Sequence, residues 1–134
     1  MKELIVDAVI SNLDTVTDFV NAELEAQDCS LKAQMQIDVA LDELFTNVAS
    51  YAYPGKTGKI KIQIEITDEK TAVIILTDCG IPYDPLLAKE PDITLSAEER
   101  KIGGLGIMIV RKTMDSFEYE FSEGQNIVTI RKRI

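Results

Sequence analysis

Glu43 and Asn47 stand four residues apart in a stretch whose apolar residues recur at helical spacing, so their side chains lie one above the other on a helix. This pair sits beside the apolar stripe of that helix rather than opposite it, and polar groups at such a boundary can face a cleft. An amide oxygen at Asn47 is a hard ligand suited to Mg²⁺ among phosphate oxygens and water. A carboxylate at Glu43 can accept the proton of an attacking hydroxyl or hold that hydroxyl in line. The spacing alone is equally that of a solvated helix pair.

Asp78 follows the apolar run Ala72-Val73-Ile74-Ile75-Leu76 and opens Asp78-Cys79-Gly80-Ile81-Pro82. A carboxylate where a sheet gives way to a loop can accept a hydrogen bond from an exocyclic amine such as that of adenine. Gly80, lacking a Cβ, would let the backbone approach a flat ring. An ordinary strand-ending turn uses the same residues. Gly103-Gly104-Leu105-Gly106 leads directly into an apolar helix. Free N–H groups and the positive helix end there suit a phosphate. The glycines weaken the first turn, which a purely structural helix would avoid. The pattern matches neither the P-loop nor the dinucleotide fingerprint.

The elements that must position these residues follow from periodicity. Lys2 to Ile10 reads as a strand. Ser11-Asn12-Leu13-Asp14 resembles a capping start, followed by Leu13, Val16, Val20 and Leu24 on one helical face. Asp28-Cys29-Ser30 ends that helix, and Ser30 caps the next, expected from about Leu31 to Tyr51 with core residues Ile37, Leu41, Leu44, Phe45 and Val48. Ile60, Ile62, Ile64 and Ile66 alternate with polar residues as a half-buried strand. Thr71 to Asp78 is expected to be buried on both faces. Pro82, Pro85 and Pro91 forbid a long helix between Cys79 and Gly103, leaving room for one turn near Ser96 to Glu99. A short helix from Leu105 to Met114 and two strands, the last through Ile130, complete the order β-α-α-β-β-loop-α-β-β. Short turns between strands imply antiparallel pairing. The expected architecture is therefore α+β: a two-layer sandwich with a mostly antiparallel sheet, helices on one face, and a single domain over residues 1–134.

Bulk composition narrows the function. The 134 residues carry a net charge of −9 and no histidine, which removes the commonest general base, zinc ligand and phosphoacceptor. Residues 1 to 55 hold ten acids and two bases. That balance disfavours nucleic acid as partner and suits a partner with a basic face. Cys29 and Cys79 match no metal-ligand spacing and are expected to be reduced thiols. No apolar run approaches a membrane span, and acids interrupt the N-terminal stretch where a signal peptide would be apolar. A cytoplasmic protein with no membrane contact is expected.

Taken in order, these pieces resemble the GHKL superfamily of ATP-binding domains, which includes gyrase-type ATPases and histidine-kinase catalytic domains. Glu43-Leu44-Phe45-Thr46-Asn47 is similar to its N box, Asp78 to Pro85 to its first glycine box, and Gly103 to Gly106 to its second. The closer resemblance is to the anti-sigma factor serine/threonine kinase branch, carried by Asp78-Cys79-Gly80-Ile81-Pro82-Tyr83-Asp84-Pro85 and by Gly103 through Asp115. It implies a kinase using ATP and Mg²⁺ that phosphorylates a STAS-type anti-anti-sigma partner and otherwise holds a sigma factor or another regulatory protein. It also implies Glu43 as base, Asn47 as Mg²⁺ ligand and Asp78 as adenine reader. Gly80, Gly103, Gly104, Leu105 and Gly106 would line base and phosphates, with Thr129 supporting adenine through water. Asp84 to Ile102 would form an ATP lid, with Arg100 or Lys101 near the γ-phosphate, and a homodimer is compatible with the resemblance. Many members carry histidine four residues beyond the Asn, where this chain has Tyr51 followed by Tyr53. A nucleotide-dependent switch that grips a partner without phosphotransfer is the alternative expectation.

Overall fold

Alternation along the isoleucine-rich strand builds one half of the core, and the helical stripes cover it. The computed structural model describes residues 1–87 and 102–134. Strands β1 (Lys2–Asp7), β2 (Lys59–Ile66), β3 (Thr71–Asp78), β4 (Ser116–Ser122) and β5 (Gln125–Arg133) form one sheet in the order β1-β2-β3-β5-β4, every neighbouring pair antiparallel. Helices α1 (Leu13–Ala26), α2 (Leu31–Asn47) and α3 (Ile102–Thr113) pack against one face of it. The α+β two-layer expectation holds.

The helix-facing positions of the central strands are Ile60, Ile62 and Ile64 on β2, Ala72, Ile74 and Leu76 on β3, and Val128 and Ile130 on β5, all buried. They meet Val16, Val20 and Leu24 of α1, Ile37, Leu41, Leu44 and Phe45 of α2, and Ile107 and Val110 of α3. The apolar run of β3 is not covered on both faces. Val73 and Ile75 are only half-buried, because they share the open face of the sheet with Gln63, Glu65, Thr129 and Arg131 of the paired strands.

Turn chemistry fixes the register. Glu123 and Gly124 both adopt positive φ, 52° and 76°, giving the two-residue turn whose twist matches a hairpin. Lys70, at φ 61°, closes the β2–β3 turn, its N–H donating to the Thr67 carbonyl at 2.9 Å. Asp28, at φ 55°, ends α1 in left-handed conformation while the Cys29 N–H donates to the Leu24 carbonyl at 3.0 Å. Ser30 caps α2 as expected, its hydroxyl accepting from the Ala33 N–H at 3.2 Å.

Several boundaries differ from the sequence reading, β5 among them, which runs on to Arg133 rather than ending at Ile130. Strand β1 stops at Asp7, and a 3₁₀ turn over Ile10–Asn12 runs into α1. Ser11 therefore lies within that turn rather than capping α1; Asn12 precedes the helix, its side-chain amide donating to the Asp7 carbonyl at 2.9 Å. Helix α2 widens into a π-helical turn over Val48–Ala52. Helix α3 begins at Ile102, so the glycines form its opening turns instead of preceding it. The expected helical turn near Ser96, Arg100 and Lys101, and most of the Asp84–Ile102 lid, lie outside the described residues. The described start of the lid forms a 3₁₀ turn, Pro85–Leu87.

Phe45 is fully enclosed between α2 and the sheet, whereas Phe121 on the outer strand is 44% exposed. Phe45→Ala is expected to cost about 3–5 kcal/mol of stability and Phe121→Ala within about 1 kcal/mol, as read by urea denaturation.

Candidate functional site

Helix α2 carries Glu43 and Asn47 where its flank meets α3 and the end of β3. Asn47 is buried at 6% exposure. Among the described residues, neither Asn47 Nδ2 nor Glu43 Oε1 finds a hydrogen-bond partner although both atoms are out of water. Buried polar atoms are normally paired, and Asn21 Oδ1 and Asp38 Oδ1, outside this region, are likewise without a partner. Burial pushes the Glu43 carboxyl above the usual carboxylate range. The nearby Asn47 amide works against the rise without reaching bonding geometry, and the Asp42 charge adds to it.

Gly106 faces this carboxylate directly. A Cβ built there would overlap the Glu43 side chain from Cγ to Oε2. The carboxylate of α2 thus occupies the space that a missing side chain on α3 leaves open. Gly103 and Gly104 share the first turns of the same helix, whose free N–H groups and positive end favour anions.

The π turn after Asn47 brings a second set of groups to the end of β3. The Ile81 N–H donates to the Ala52 carbonyl at 2.9 Å, and the Tyr53 hydroxyl donates to the Lys59 carbonyl at 2.5 Å while accepting from the Cys79 N–H at 2.8 Å. A Cβ on Gly80 would run into the Ala52 backbone. The glycine is required by this close approach of two protein segments, a different reason from the contact with a flat ring expected from sequence.

Asp78 is 6% exposed and lies opposite Asn126 in the β3–β5 register. Its Oδ1 accepts from the Gly80 N–H and from Asn126 Nδ2, both at 2.9 Å. Burial raises its pKa, and these two bonds restrain the rise. Among the described residues no group bonds Oδ2. Asp78, Asn47 and Asn126 line one pocket with Leu44, Val48 and Val128. The cavity measures about 30 Å³, room for one or two waters. Tyr51 and Tyr83 also line it and stack on each other with centroids 6.1 Å apart. Burial, then the Tyr51 and Glu43 groups, raise the Tyr83 pKa.

The structure therefore brings Asn47 and Asp78 to one cavity and Glu43 to Gly106 beside it. Thr129 is corrected. It alternates with Val128 and Ile130, both turned toward the helices, so its side chain lies on the open face of the sheet, away from the pocket. The polar residue of β5 that does reach Asp78 is Asn126. Its place among turn-forming residues after Gly124 concealed it; the register of β5 against β3 was the one signal that could have shown it. Tyr51 and Tyr83 were visible as aromatics but not as neighbours.

A family model described as a histidine kinase-like ATPase domain matches residues 6–132. The chain is 28% identical over 102 residues to the serine/threonine-protein kinase BtrW of Bordetella bronchiseptica, covering 75% of this chain and 71% of that one. It is 29% identical over 104 residues to the serine-protein kinase RsbW of Listeria monocytogenes, covering 74% and 66% respectively; the match spans about two thirds of these relatives. Among solved structures, the histidine kinase domain of the blue-light activated histidine kinase of Erythrobacter litoralis EL346 superposes with a TM-score of 0.57 at 16% identity, covering 78% of this chain and 46% of that one. At that identity the likeness speaks for the fold.

Glu43 is predicted to lower stability where it is ionised. Its folded pKa lies above the unfolded value, so the charged form is disfavoured in the native state once pH exceeds the folded pKa, and the penalty vanishes below the unfolded value. The melting temperature of Glu43→Gln relative to the parent should thus rise as pH climbs through the carboxylate range. A constant difference between the two would contradict the burial of that charge.

Proposed function

Because the chain belongs to the histidine kinase-like ATPase domain family, we propose that it is an ATP-dependent serine/threonine protein kinase of anti-sigma type, acting on a STAS-type anti-anti-sigma partner. The observation that carries this reading is the meeting of three groups from distant parts of the chain. A half-buried carboxylate lies against a helix-opening glycine, a buried amide lies one turn away, and a second carboxylate shares the amide's cavity.

Asp78 Oδ2 accepts the exocyclic amine of adenine, with Leu44, Val48 and Val128 against the ring. Asn47 offers a neutral oxygen to Mg²⁺. The neutral Oδ1 of Asn47 is the kind of hard donor that would hold that ion, while the unpartnered Nδ2 is a donor left for an acceptor such as a phosphate oxygen. Mg²⁺ held there would supply neutralising charge for the phosphates. The free backbone N–H groups of the first turn of α3, those of Gly103 and Gly104 among them, hold phosphate oxygens. Glu43, with its raised pKa, takes the proton of the partner's serine or threonine hydroxyl as that oxygen bonds to the γ-phosphorus of ATP and the bond to the β,γ-bridging oxygen breaks, releasing ADP. Gly106 keeps the carboxylate's space clear.

The relatives named as serine kinases support the chemistry; the acidic N-terminal half suits a protein with a basic face. Purified protein with Mg·ATP and a panel of STAS-domain proteins should yield phosphoserine or phosphothreonine on one of them. Glu43→Ala should retain ATP and lose phosphotransfer by roughly 10²- to 10⁴-fold. Asn47→Ala should weaken nucleotide binding in Mg²⁺ far more than in EDTA, measured with a fluorescent ATP analogue. Nucleotide binding with no phosphorylated product would instead assign a switch that grips its partner without phosphotransfer.

A further inference from the structure

Asn126 is 3% exposed and spends its whole hydrogen-bonding capacity inside the protein. Its Nδ2 donates to Asp78 Oδ1 at 2.9 Å and to the Ile81 carbonyl at 2.9 Å, with the Gly80 carbonyl at 3.4 Å. Its Oδ1 accepts from the Tyr83 N–H at 3.1 Å and from the Tyr119 hydroxyl at 2.5 Å. An amide offers two N–H donors and two acceptor lone pairs, and all four are engaged. The orientation of the amide is not interchangeable: the Tyr83 N–H can only donate and the Ile81 carbonyl can only accept.

Asparagine is the side chain this position demands. Aspartate could not donate to Asp78 without carrying a proton, and an apolar residue would strand two carbonyls, a carboxylate oxygen and an N–H in a buried place. The strand itself needs no such group. Asp78↔Asn126 is the last pairing of the β3–β5 ladder, and beyond it only the loop that flanks the pocket is being held. Two pocket features depend on this one side chain. The first is which oxygen of Asp78 remains free; the second is the backbone position of Tyr83, whose ring lines the cavity and stacks on Tyr51.

We propose that Asn126 is the positioning residue that sets base selectivity at this site, by occupying Asp78 Oδ1 so that Oδ2 alone presents a pure acceptor to the 6-amino group of a purine. This rests on the reading of Asp78 as the adenine contact. A base with oxygen in place of that amine meets an acceptor facing an acceptor and is rejected, because the fixed carboxylate cannot turn to relieve it.

Tyr53, which follows the π turn, and Tyr119 of β4 feel the Asp78 charge, with Cys79 and Asp84 near those same tyrosines and Tyr83 on the same Asn126 amide. Burial raises Tyr53, Tyr83 and Tyr119 above the ordinary tyrosine range, so they stay neutral near pH 7, and Cys79 and Asp84 are common to every protein compared. The probes are ATP and inosine triphosphate, which carries oxygen where ATP has the amine, titrated by calorimetry into parent, Asn126→Ala, Asn126→Asp and Tyr119→Phe proteins with melting curves in parallel.

The parent should favour ATP by about 10- to 100-fold, the worth of one hydrogen bond to a charged group. Asn126→Ala should narrow that preference to a few-fold. Asn126→Asp should recover ATP affinity as pH falls, since one shared proton restores the donor to Asp78, while the parent changes less over the same range. Tyr119→Phe frees one acceptor site of the amide at the rim of the network and should give an intermediate loss of preference even if the Asn126 variants do not fold. Parental selectivity in the variants that fold, or in Tyr119→Phe alone, overturns the role of Asn126 and leaves Asp78 standing. A parent that binds both nucleotides equally, or neither, overturns the adenine reading as well.

Discussion

A half-buried carboxylate pressed against a helix that has no side chain at the point of contact is the constraint on which the rest of this protein turns. Glu43 cannot be solvated fully where it lies, and Gly106 is the only kind of residue that leaves it room. For the contact to exist, α2 must pack alongside α3, and α3 must open in a stretch that tolerates glycines poorly suited to a helix. The core residues Ile107 and Val110, further along α3, supply the hydrophobic anchorage that those glycines forgo. Local stability is given up at the helix start and recovered one to two turns later.

The π-helical turn at Val48–Ala52 solves a second geometric problem. A continuous α-helix after Asn47 would carry its next residues straight on, past the end of β3. Widening the helix by one residue per turn redirects the chain, so that Ala52 and Tyr53 meet Gly80 and Cys79. The loop after Asp78 is then braced from two sides, by this turn and by Asn126. The turn fixes the backbone of the loop at Gly80 and Ile81, and Asn126 fixes the Asp78 side chain itself.

The architecture was legible in the sequence because its signals are periodic. The alternation from Ile60 to Ile66, the stripe from Ile37 to Phe45 and the Ser30 cap each specify an element locally. What failed was parity and distance. An unbroken apolar run such as Ala72 to Leu76 does not say which of its residues face inward, so β3 read as doubly buried. Thr129 has the right chemistry for a polar contact with a base but sits one residue out of phase with Val128, which lines the pocket. Asn126 owes its importance to partners at positions 78, 80, 81, 83 and 119, and no local pattern encodes that set. Residue type and spacing single out Glu43, Asn47 and Asp78 as candidates, whereas the contacts around them are visible only in three dimensions.

The sheet order has a temporal meaning as the chain leaves the ribosome. Strand β5 inserts between β3 and β4, and the Asp78–Asn126 bond joins residues 48 positions apart. Until the last strand has emerged and paired, β3 is an open edge and the loop that bears Asp78 has no anchor on that side. Because β5 also carries Val128 and Ile130 into the core, its pairing completes the packing under the helices and anchors the Asp78 loop in a single step.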